Sequence, residues 1–337
     1  MSRPAVLLIG DLTHTNDEWQ ALGSKYDLLE LRTGTRDQFL TNCRNGTYAS
    51  VVGCYRSNAS TAITGPFDQD LVAALPASWK FIAHNGAGYD NIDVAACTAR
   101  RIAVSSTPVA VDDATADTAI FLMLGALRQA QVPLTALREG KWRGGTQVGH
   151  DPRGKVLGIL GMGGIGRAMA HRARSFGCSI IYHNRSRLDP KLEGDAAYVS
   201  FEELLARADI LSLNLALNSN TRHIISAEEF GKMKKGVVLV NTARGALIKE
   251  ADMVDALESG QVSSVGLDVF EDEPEIHPGL VKNERAFLLP HIGTNTYETQ
   301  RDMELLVLEN LQAAVDEGKM RTLVGEQKGL DWVPATK

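Results

Sequence analysis

An apolar run, Lys155-Val156-Leu157-Gly158-Ile159-Leu160, passes directly into Gly161-Met162-Gly163-Gly164-Ile165-Gly166 and then into Arg167-Ala168-Met169-Ala170, which opens a helix. This junction restricts the fold more than any other feature of the chain. Its glycines permit a tight turn, close approach of the backbone to a bound group and close packing of helix on strand. The helix start adds unpaired amides and the positive end of a dipole. Strand, glycine turn and helix in this order make a dinucleotide fingerprint, with Gly161, Met162, Gly163, Gly164, Ile165 and Gly166 as the pyrophosphate-binding residues. The glycine spacing without those flanks would carry little weight.

Such a turn needs a parallel sheet around it, and short apolar runs bounded by turn formers supply one. Strands are predicted over residues 155–160, 179–182, 197–199, 210–213, 237–240, 262–267 and 286–289, which suggests a doubly wound sheet of six or seven strands. An earlier series falls at 5–9, 27–31, 50–53, 80–83 and 102–104, with a helix over 67–75. An Ala- and Leu-rich helical pattern covers 112–129, and the irregular segment Glu139-Gly140-Lys141-Trp142-Arg143-Gly144-Gly145 reads as a bridge between domains. A last helical pattern runs over 296–317 and stops at Gly318, before a polar tail. Two domains are the expectation for 337 residues.

Composition narrows the partners. A formal charge of −6 provides no general attraction for a phosphate backbone, and no apolar stretch is long enough for a membrane span, so neither nucleic acid nor membrane is expected. Cys43, Cys54, Cys97 and Cys178 lack the spacing of a zinc site or a disulfide framework and read as buried thiols of a reducing compartment. The apolar run at 5–10 is too short for a signal peptide, which makes the cytoplasm the expected location. The remaining histidines form no ligand pattern, so no metal is expected.

The strand after the fingerprint should end against the adenosine ribose, where an acidic residue would repel a 2′-phosphate. Eighteen positions beyond Gly166 stands Asn184, followed by Arg185, Ser186 and Arg187; the nearest acid, Asp189, lies too far along. Two guanidiniums and a hydroxyl favour an extra phosphate, which predicts NADP(H), with NAD(H) as second choice. The bland alternative is a loop of solvated arginines.

Three later strands end in polar residues. The first leads into Asn241-Thr242-Ala243-Arg244-Gly245, the second into Asp268-Val269-Phe270-Glu271-Asp272-Glu273-Pro274, the third into Pro290-His291-Ile292-Gly293-Thr294. Arg, Glu and His therefore arrive at one carboxyl edge, where α/β sheets bind ligands. Singly, each would read as a surface charge, a turn residue and a structural histidine.

With Asn85-Gly86-Ala87-Gly88-Tyr89-Asp90-Asn91-Ile92-Asp93, these segments make nearly the whole chain resemble the D-isomer-specific 2-hydroxyacid dehydrogenases, which include glyoxylate/hydroxypyruvate reductases and D-glycerate dehydrogenases. The spacings match as well: 29 positions from Arg244 to Glu273 and 18 from Glu273 to His291. The resemblance implies two Rossmann-like doubly wound domains: a dinucleotide-binding domain over 109–296 and a discontinuous, flavodoxin-like substrate-binding domain over 1–108 and 297–337. It implies NADPH-dependent reduction of a small 2-oxo acid, glyoxylate or hydroxypyruvate by preference, to the D-2-hydroxy acid. Arg244 would bind and polarise the substrate, His291 act as general acid and base, and Glu273, rather than Glu271, hold His291 charged and oriented. Asp268 would anchor the nicotinamide carboxamide, with Thr115, Leu215, Thr221, Thr242, Ala243 and Gly293 as further cofactor contacts and Asp117 a weaker one. Gly86, Ala87 and Gly88 would offer amides to the substrate carboxylate, with Arg56 and Ser57 as another wall and His84 and Tyr89 flanking the loop. Closure of the two domains would exclude water. The 112–129 helix and the Trp142 segment resemble the family's dimer contact, so a homodimer is expected. One departure is Leu215-Ala216-Leu217-Asn218, where the family pattern has Pro at the position of Ala216. The rival within the same chemistry is a reductase of bulkier or aromatic 2-oxo acids, of D-mandelate type. A remoter one is a cofactor-sensing, corepressor-like binding module, against which the complete Arg–Glu–His set weighs.

Overall fold

Buried β-branched and leucine runs recur where the pattern places them, and in the computed structural model, which describes residues 3–332, they form two parallel sheets. Met1, Ser2 and residues 333–337, at the ends of the expected substrate-binding domain, lie outside the described residues. The first sheet holds β1 (Ala5–Ile9), β2 (Asp27–Leu31), β3 (Val51–Ser57), β4 (Phe81–Asn85) and β5 (Ala103–Ser105) in the order β2-β1-β3-β4-β5. The second holds β6 (Val156–Leu160), β7 (Ser179–His183), β8 (Ala197–Tyr198), β9 (Ile210–Leu213), β10 (Val237–Asn241), β11 (Val262–Leu267) and β12 (Ala286–Leu288) in the order β12-β11-β10-β9-β6-β7-β8. Both orders reverse once, between β1 and β3 and between β6 and β9, which makes each sheet doubly wound. The α/β class inferred from the strand pattern is the observed one.

The chain divides into two compact units: one of residues up to Val111 together with those from Thr296, the other Asp112–Asn295. The segment 139–145 therefore lies inside the second unit and is not a bridge, as its irregular composition suggested; the chain passes between units at 111/112 and again at 295/296. The 112–129 pattern is observed as one helix, Asp112–Leu127, and a second helix that the pattern did not predict follows it. Asp112–Leu127 ends, Gln129 takes a left-handed φ of 47°, and Gln131–Arg138 sets off at 80°. The helix ends within two residues of the expected end at 129, although neither Gly nor Pro marks Arg128-Gln129-Ala130.

The Asp112–Leu127 helix is apolar on most sides because it is interior to its unit, not because it meets lipid: Ala116, Ala119, Leu122, Met123 and Ala126 pack with Leu157, Ile159 and Val240. A Cβ on its Gly125 would come within 2.3 Å of the Phe287 ring, so glycine lets the helix lie directly against β12. No single helix among the described residues is long and apolar enough to cross a membrane.

In the first unit β3 runs four residues past the predicted end at 53, because Arg56 and Ser57, polar in the sequence, are buried with partners. The Tyr297–Glu317 helix starts at Thr296, whose hydroxyl accepts from Thr299 N, and ends at Gly318 with φ 71°. Its Val307, Leu308 and Leu311 cover Val6, Leu8 and Tyr55, while buried Glu304 accepts from the amides of Thr13 and His14 and the hydroxyl of Thr15. All four cysteines are buried free thiols.

Candidate active site

The glycine turn is wedged at the sheet reversal between β6 and β9. Gly161 has φ 99°, and a Cβ there would lie 2.7 Å from the Asn214 carbonyl, so only glycine fits. Gly161 N–H donates to the His183 carbonyl (3.0 Å) and Met162 N–H to Asn184 Oδ1 (2.6 Å), which ties the turn to the end of β7. The Gly164–Ser175 helix follows, and no atom stands within 4 Å of a Cβ built on Gly163. At the ends of β9 and β10, Asn214 Oδ1 and Thr242 Oγ1 are buried without a hydrogen-bond partner among the described residues. An open glycine cradle at a helix start and two unsatisfied polar atoms along the same sheet edge fit a nicotinamide dinucleotide, with pyrophosphate at the turn.

The corner at 184–187 divides into two parts. Arg187 places its fork on Glu193, Nε to Oε1 2.8 Å and NH2 to Oε2 2.9 Å, and Tyr182 hydroxyl also donates to that carboxylate. Arg185 and Ser186 are exposed, and Arg185 makes no ion pair among the described residues. Beyond β9, Leu215 packs against the core; Thr221 Oγ1 donates to the Ala216 carbonyl (2.7 Å) and accepts from Asn218 N–H (2.8 Å). A hydroxyl thus closes the loop in which alanine stands where the family pattern has proline.

Arg244 follows β10 on a turn folded by buried Asn241, whose Oδ1 accepts from Ala243 N–H (3.0 Å) and whose Nδ2 donates to the Arg244 carbonyl (2.8 Å). A Cβ on Gly245 would overlap the Phe270 backbone, so this turn rests on the chain leaving β11. That chain carries Glu273. Its Oε1 accepts from Phe270 N–H (2.9 Å) and its Oε2 from His291 Nδ1 (2.7 Å). Burial raises the Glu273 carboxyl, but hydrogen bonds from His291 and the Phe270 amide, with the His291 and Arg244 charges, outweigh it and leave the group below its usual range.

His291 has a left-handed φ of 54°, a conformation that costs a non-glycine residue and persists only where its surroundings impose it. Asp268 imposes it. The His291 amide donates to the Asp268 carbonyl (2.7 Å), and the buried Asp268 carboxylate accepts from Ile292 N–H (2.8 Å) and Gly293 N–H (2.7 Å). Burial pushes Asp268 up despite both amides and the His291 charge. Thr115 lies beside Gly293 from the Asp112–Leu127 helix, and Asp117 is paired with Arg172. With Nδ1 held by Glu273 and a side chain 39% exposed, the imidazole has Nε2 left to exchange a proton with a ligand.

Sequence reasoning did not anticipate a second His–Glu pair. Glu271 is bound to His223 and lies 3.3 Å from Arg222, and it exchanges amide-to-carboxylate bonds with Glu250, 2.7 and 3.2 Å. This lattice anchors the loop that carries Glu273, and its partners lie too far apart in sequence for any local motif to reveal them.

In the first unit, Ser57 Oγ accepts from Asp11 and Ser60 amides (both 3.2 Å) and caps the end of β3. Gly86, Ala87 and Gly88 are half-buried after β4. Arg56 departs from the expectation of a pocket wall: it is 0% exposed, and its guanidinium donates to His84, Asn91 and Thr61. Burial brings that guanidinium down to about 10, so it stays charged at neutral pH. Its donors serve the protein interior.

Residues 120–293 match the family model described as D-isomer specific 2-hydroxyacid dehydrogenase, NAD binding domain. The chain is 65% identical to the 4-methyl-2-oxopentanoate reductase A of Aspergillus oryzae, over 97% of this chain and 99% of that protein. It resembles the crystal structure of a glyoxylate reductase from Paecilomyes thermophila with TM-score 0.96 and 63% identity, covering 97% of this chain and 100% of the other. The holo D-mandelate dehydrogenase of Rhodotorula graminis superposes with TM-score 0.91 at 32% identity, over 96% and 98% of the two chains. A glycine turn at a sheet reversal, a carboxylate-bound histidine beside an arginine, and likeness along almost the full length lead to one conclusion: the chain belongs to the D-isomer-specific 2-hydroxyacid dehydrogenase family.

Proposed function

We propose that the chain catalyses NADPH-dependent reduction of a small 2-oxo acid to the D-2-hydroxy acid, with Arg244, Glu273 and His291 as the reacting set. The observation that carries this reading is the 2.7 Å contact between His291 Nδ1 and Glu273, within reach of the Arg244 charge. When bound, the reduced nicotinamide supplies the hydride. The glycine turn at 161–166, Asn184 to Arg187, Leu215, Thr221, Thr242, Ala243, Asp268, Gly293 and Thr115 would hold the dinucleotide.

Reduction leaves negative charge on the former carbonyl oxygen, which must be stabilised and then protonated. Arg244 has the planar fork to hold the substrate carboxylate and polarise the adjacent carbonyl. His291 donates its Nε2 proton to the oxygen as general acid and recovers one in the oxidative direction. Glu273 keeps the ring oriented and favours its charged form before transfer. In the first unit, the Gly86, Ala87 and Gly88 amides would receive the carboxylate, with Ser57 fixing the neighbouring turn and Arg56 acting from behind the loop.

NADPH preference rests on Arg185 and Ser186, since Arg187 is already committed to Glu193. Glyoxylate or hydroxypyruvate is the first-choice substrate. A second reading, a branched aliphatic 2-oxo acid, is favoured by the 65% identity to a protein named for 4-methyl-2-oxopentanoate. Initial rates for glyoxylate, hydroxypyruvate, 4-methyl-2-oxopentanoate and phenylglyoxylate, each with NADPH and NADH, decide between them; tight cofactor binding without turnover of any would overturn the enzymatic reading in favour of a sensor. A homodimer and a cytoplasmic location belong to the same proposal, the latter supported by four unpaired thiols.

A further inference from the structure

Arg56 and His84 are directly paired on neighbouring strands, β3 and β4, and both are fully buried. Arg56 NH1 lies 3.0 Å from His84 Nδ1, and His84 Nε2 lies 3.1 Å from the Gly88 carbonyl oxygen. A guanidinium has donors only. His84 Nδ1 must therefore accept, which places the proton of the neutral ring on Nε2, from where it donates to Gly88 O. Arg56 is itself held by bonds to Asn91 Oδ1 (3.3 Å) and Thr61 Oγ1 (2.9 Å) and by the Phe67 ring, 5.0 Å from its Cζ. At the near end of the same loop, Thr107 N–H donates to Gly86 O (3.0 Å). The His84 ring lies directly under the segment, since a Cβ on Gly86 would fall 2.7 Å from Nε2. Both ends of Gly86-Ala87-Gly88 are thus pinned, although two of its three residues are glycines whose backbone would otherwise range widely. Pinning the Gly88 carbonyl also directs the following amide the opposite way, because C=O and N–H oppose each other across a trans peptide.

We propose that Arg56 and His84 are positioning residues for the substrate loop: the buried guanidinium selects the Nε2–H tautomer of His84, and that proton, given to Gly88 O, fixes the far end of the loop that presents amides to a carboxylate. The consequence for substrate rests on reading Gly86–Gly88 as a carboxylate-binding loop; the tautomer does not. A ring that merely filled space could be replaced by any apolar side chain of similar size, whereas a relay needs an acceptor facing Arg56 and a donor facing Gly88.

Histidine-selective ¹⁵N labelling of the full chain, with the His84 ring assigned through its own side-chain connectivity, reads the tautomer directly. The expected spectrum at neutral pH has an unprotonated Nδ1 and a protonated Nε2; a proton on Nδ1, or on both nitrogens, overturns the proposal. In steady-state assays with glyoxylate, His84→Leu is expected to raise KM on the order of tenfold, with kcat and NADPH affinity within about twofold. His84→Gln, which keeps both an acceptor and a donor, is expected to recover most of that loss. An unchanged KM in a folded His84→Leu, or a glutamine variant no better than leucine, rejects the relay. Absence of turnover in the wild type with every 2-oxo acid would remove the enzymatic reading, and the nitrogen spectrum would still decide the tautomer.

Discussion

Single residues carry the chemistry, and their surroundings decide how. His291 and Glu273 both follow buried strands at a carboxyl edge, and it was the family resemblance that singled out Glu273 rather than Glu271. His291→Ala is expected to lower kcat by about 10²- to 10⁴-fold while NADPH binding, followed by fluorescence titration, stays intact; near-normal turnover would remove His291 from proton transfer. The depressed Glu273 carboxyl also has a stability signature. A carboxylate with a lowered folded value stabilises the native state above its unfolded value, and that contribution fades as the pH falls through the folded one. The Tm gap between wild type and Glu273→Gln should therefore close as the pH falls below about 4.5, the ordinary carboxyl value. A gap that widens in acid would contradict the assignment. At the ribose corner, Arg185→Asp is expected to move the ratio of kcat/KM for NADPH over NADH towards NADH by at least about tenfold. Arg187, which reads identically in the sequence, is already forked onto Glu193, so its substitution should act on stability as much as on cofactor choice.

Elements decide where those residues stand. The Asp112–Leu127 helix reaches β12 only because Gly125 has no side chain, and β12 leads into Pro290-His291. Gly125→Ala sets two effects against each other. Alanine gains roughly 1 kcal/mol of helix propensity over glycine, while a Cβ at 2.3 Å from Phe287 overpacks the interior at about 1–3 kcal/mol. Overpacking should win, lowering the thermal midpoint; a higher one would show that β12 yields easily. Helix and strand positions followed from periodicity and turn formers, including Thr296 and Gly318 at the ends of the Tyr297–Glu317 helix. The Gln131–Arg138 helix and the extension of β3 through Arg56 did not, because a turn at left-handed Gln129 and a buried arginine are imposed by packing and leave no local pattern.

For the whole molecule, apolar side chains on the surface of the second unit bear on assembly. Phe121, Leu134, Leu137 and Trp142 are 54, 43, 56 and 72% exposed along two successive helices and the segment that follows them. Large apolar groups exposed on successive elements supply surface that a second chain can cover. Sedimentation should give the mass of two 36.5 kDa chains, and Leu137→Glu with Trp142→Glu should shift it towards one; a wild-type monomer would reject the homodimer. The sequence by itself determined the parallel α/β architecture, the glycine turn and the strand ends bearing Arg244, Glu273 and His291, since buried strands, turns and helix starts are written in neighbouring residues. Only the tertiary structure decided the partners of the polar groups: Arg56 with His84, Arg187 with Glu193, Glu271 with His223, and Asp268 with the amides behind His291. Hydrogen bonds join whatever folding brings within about 3 Å, and most of these partners are separated by 24 to 48 residues, beyond any local periodicity.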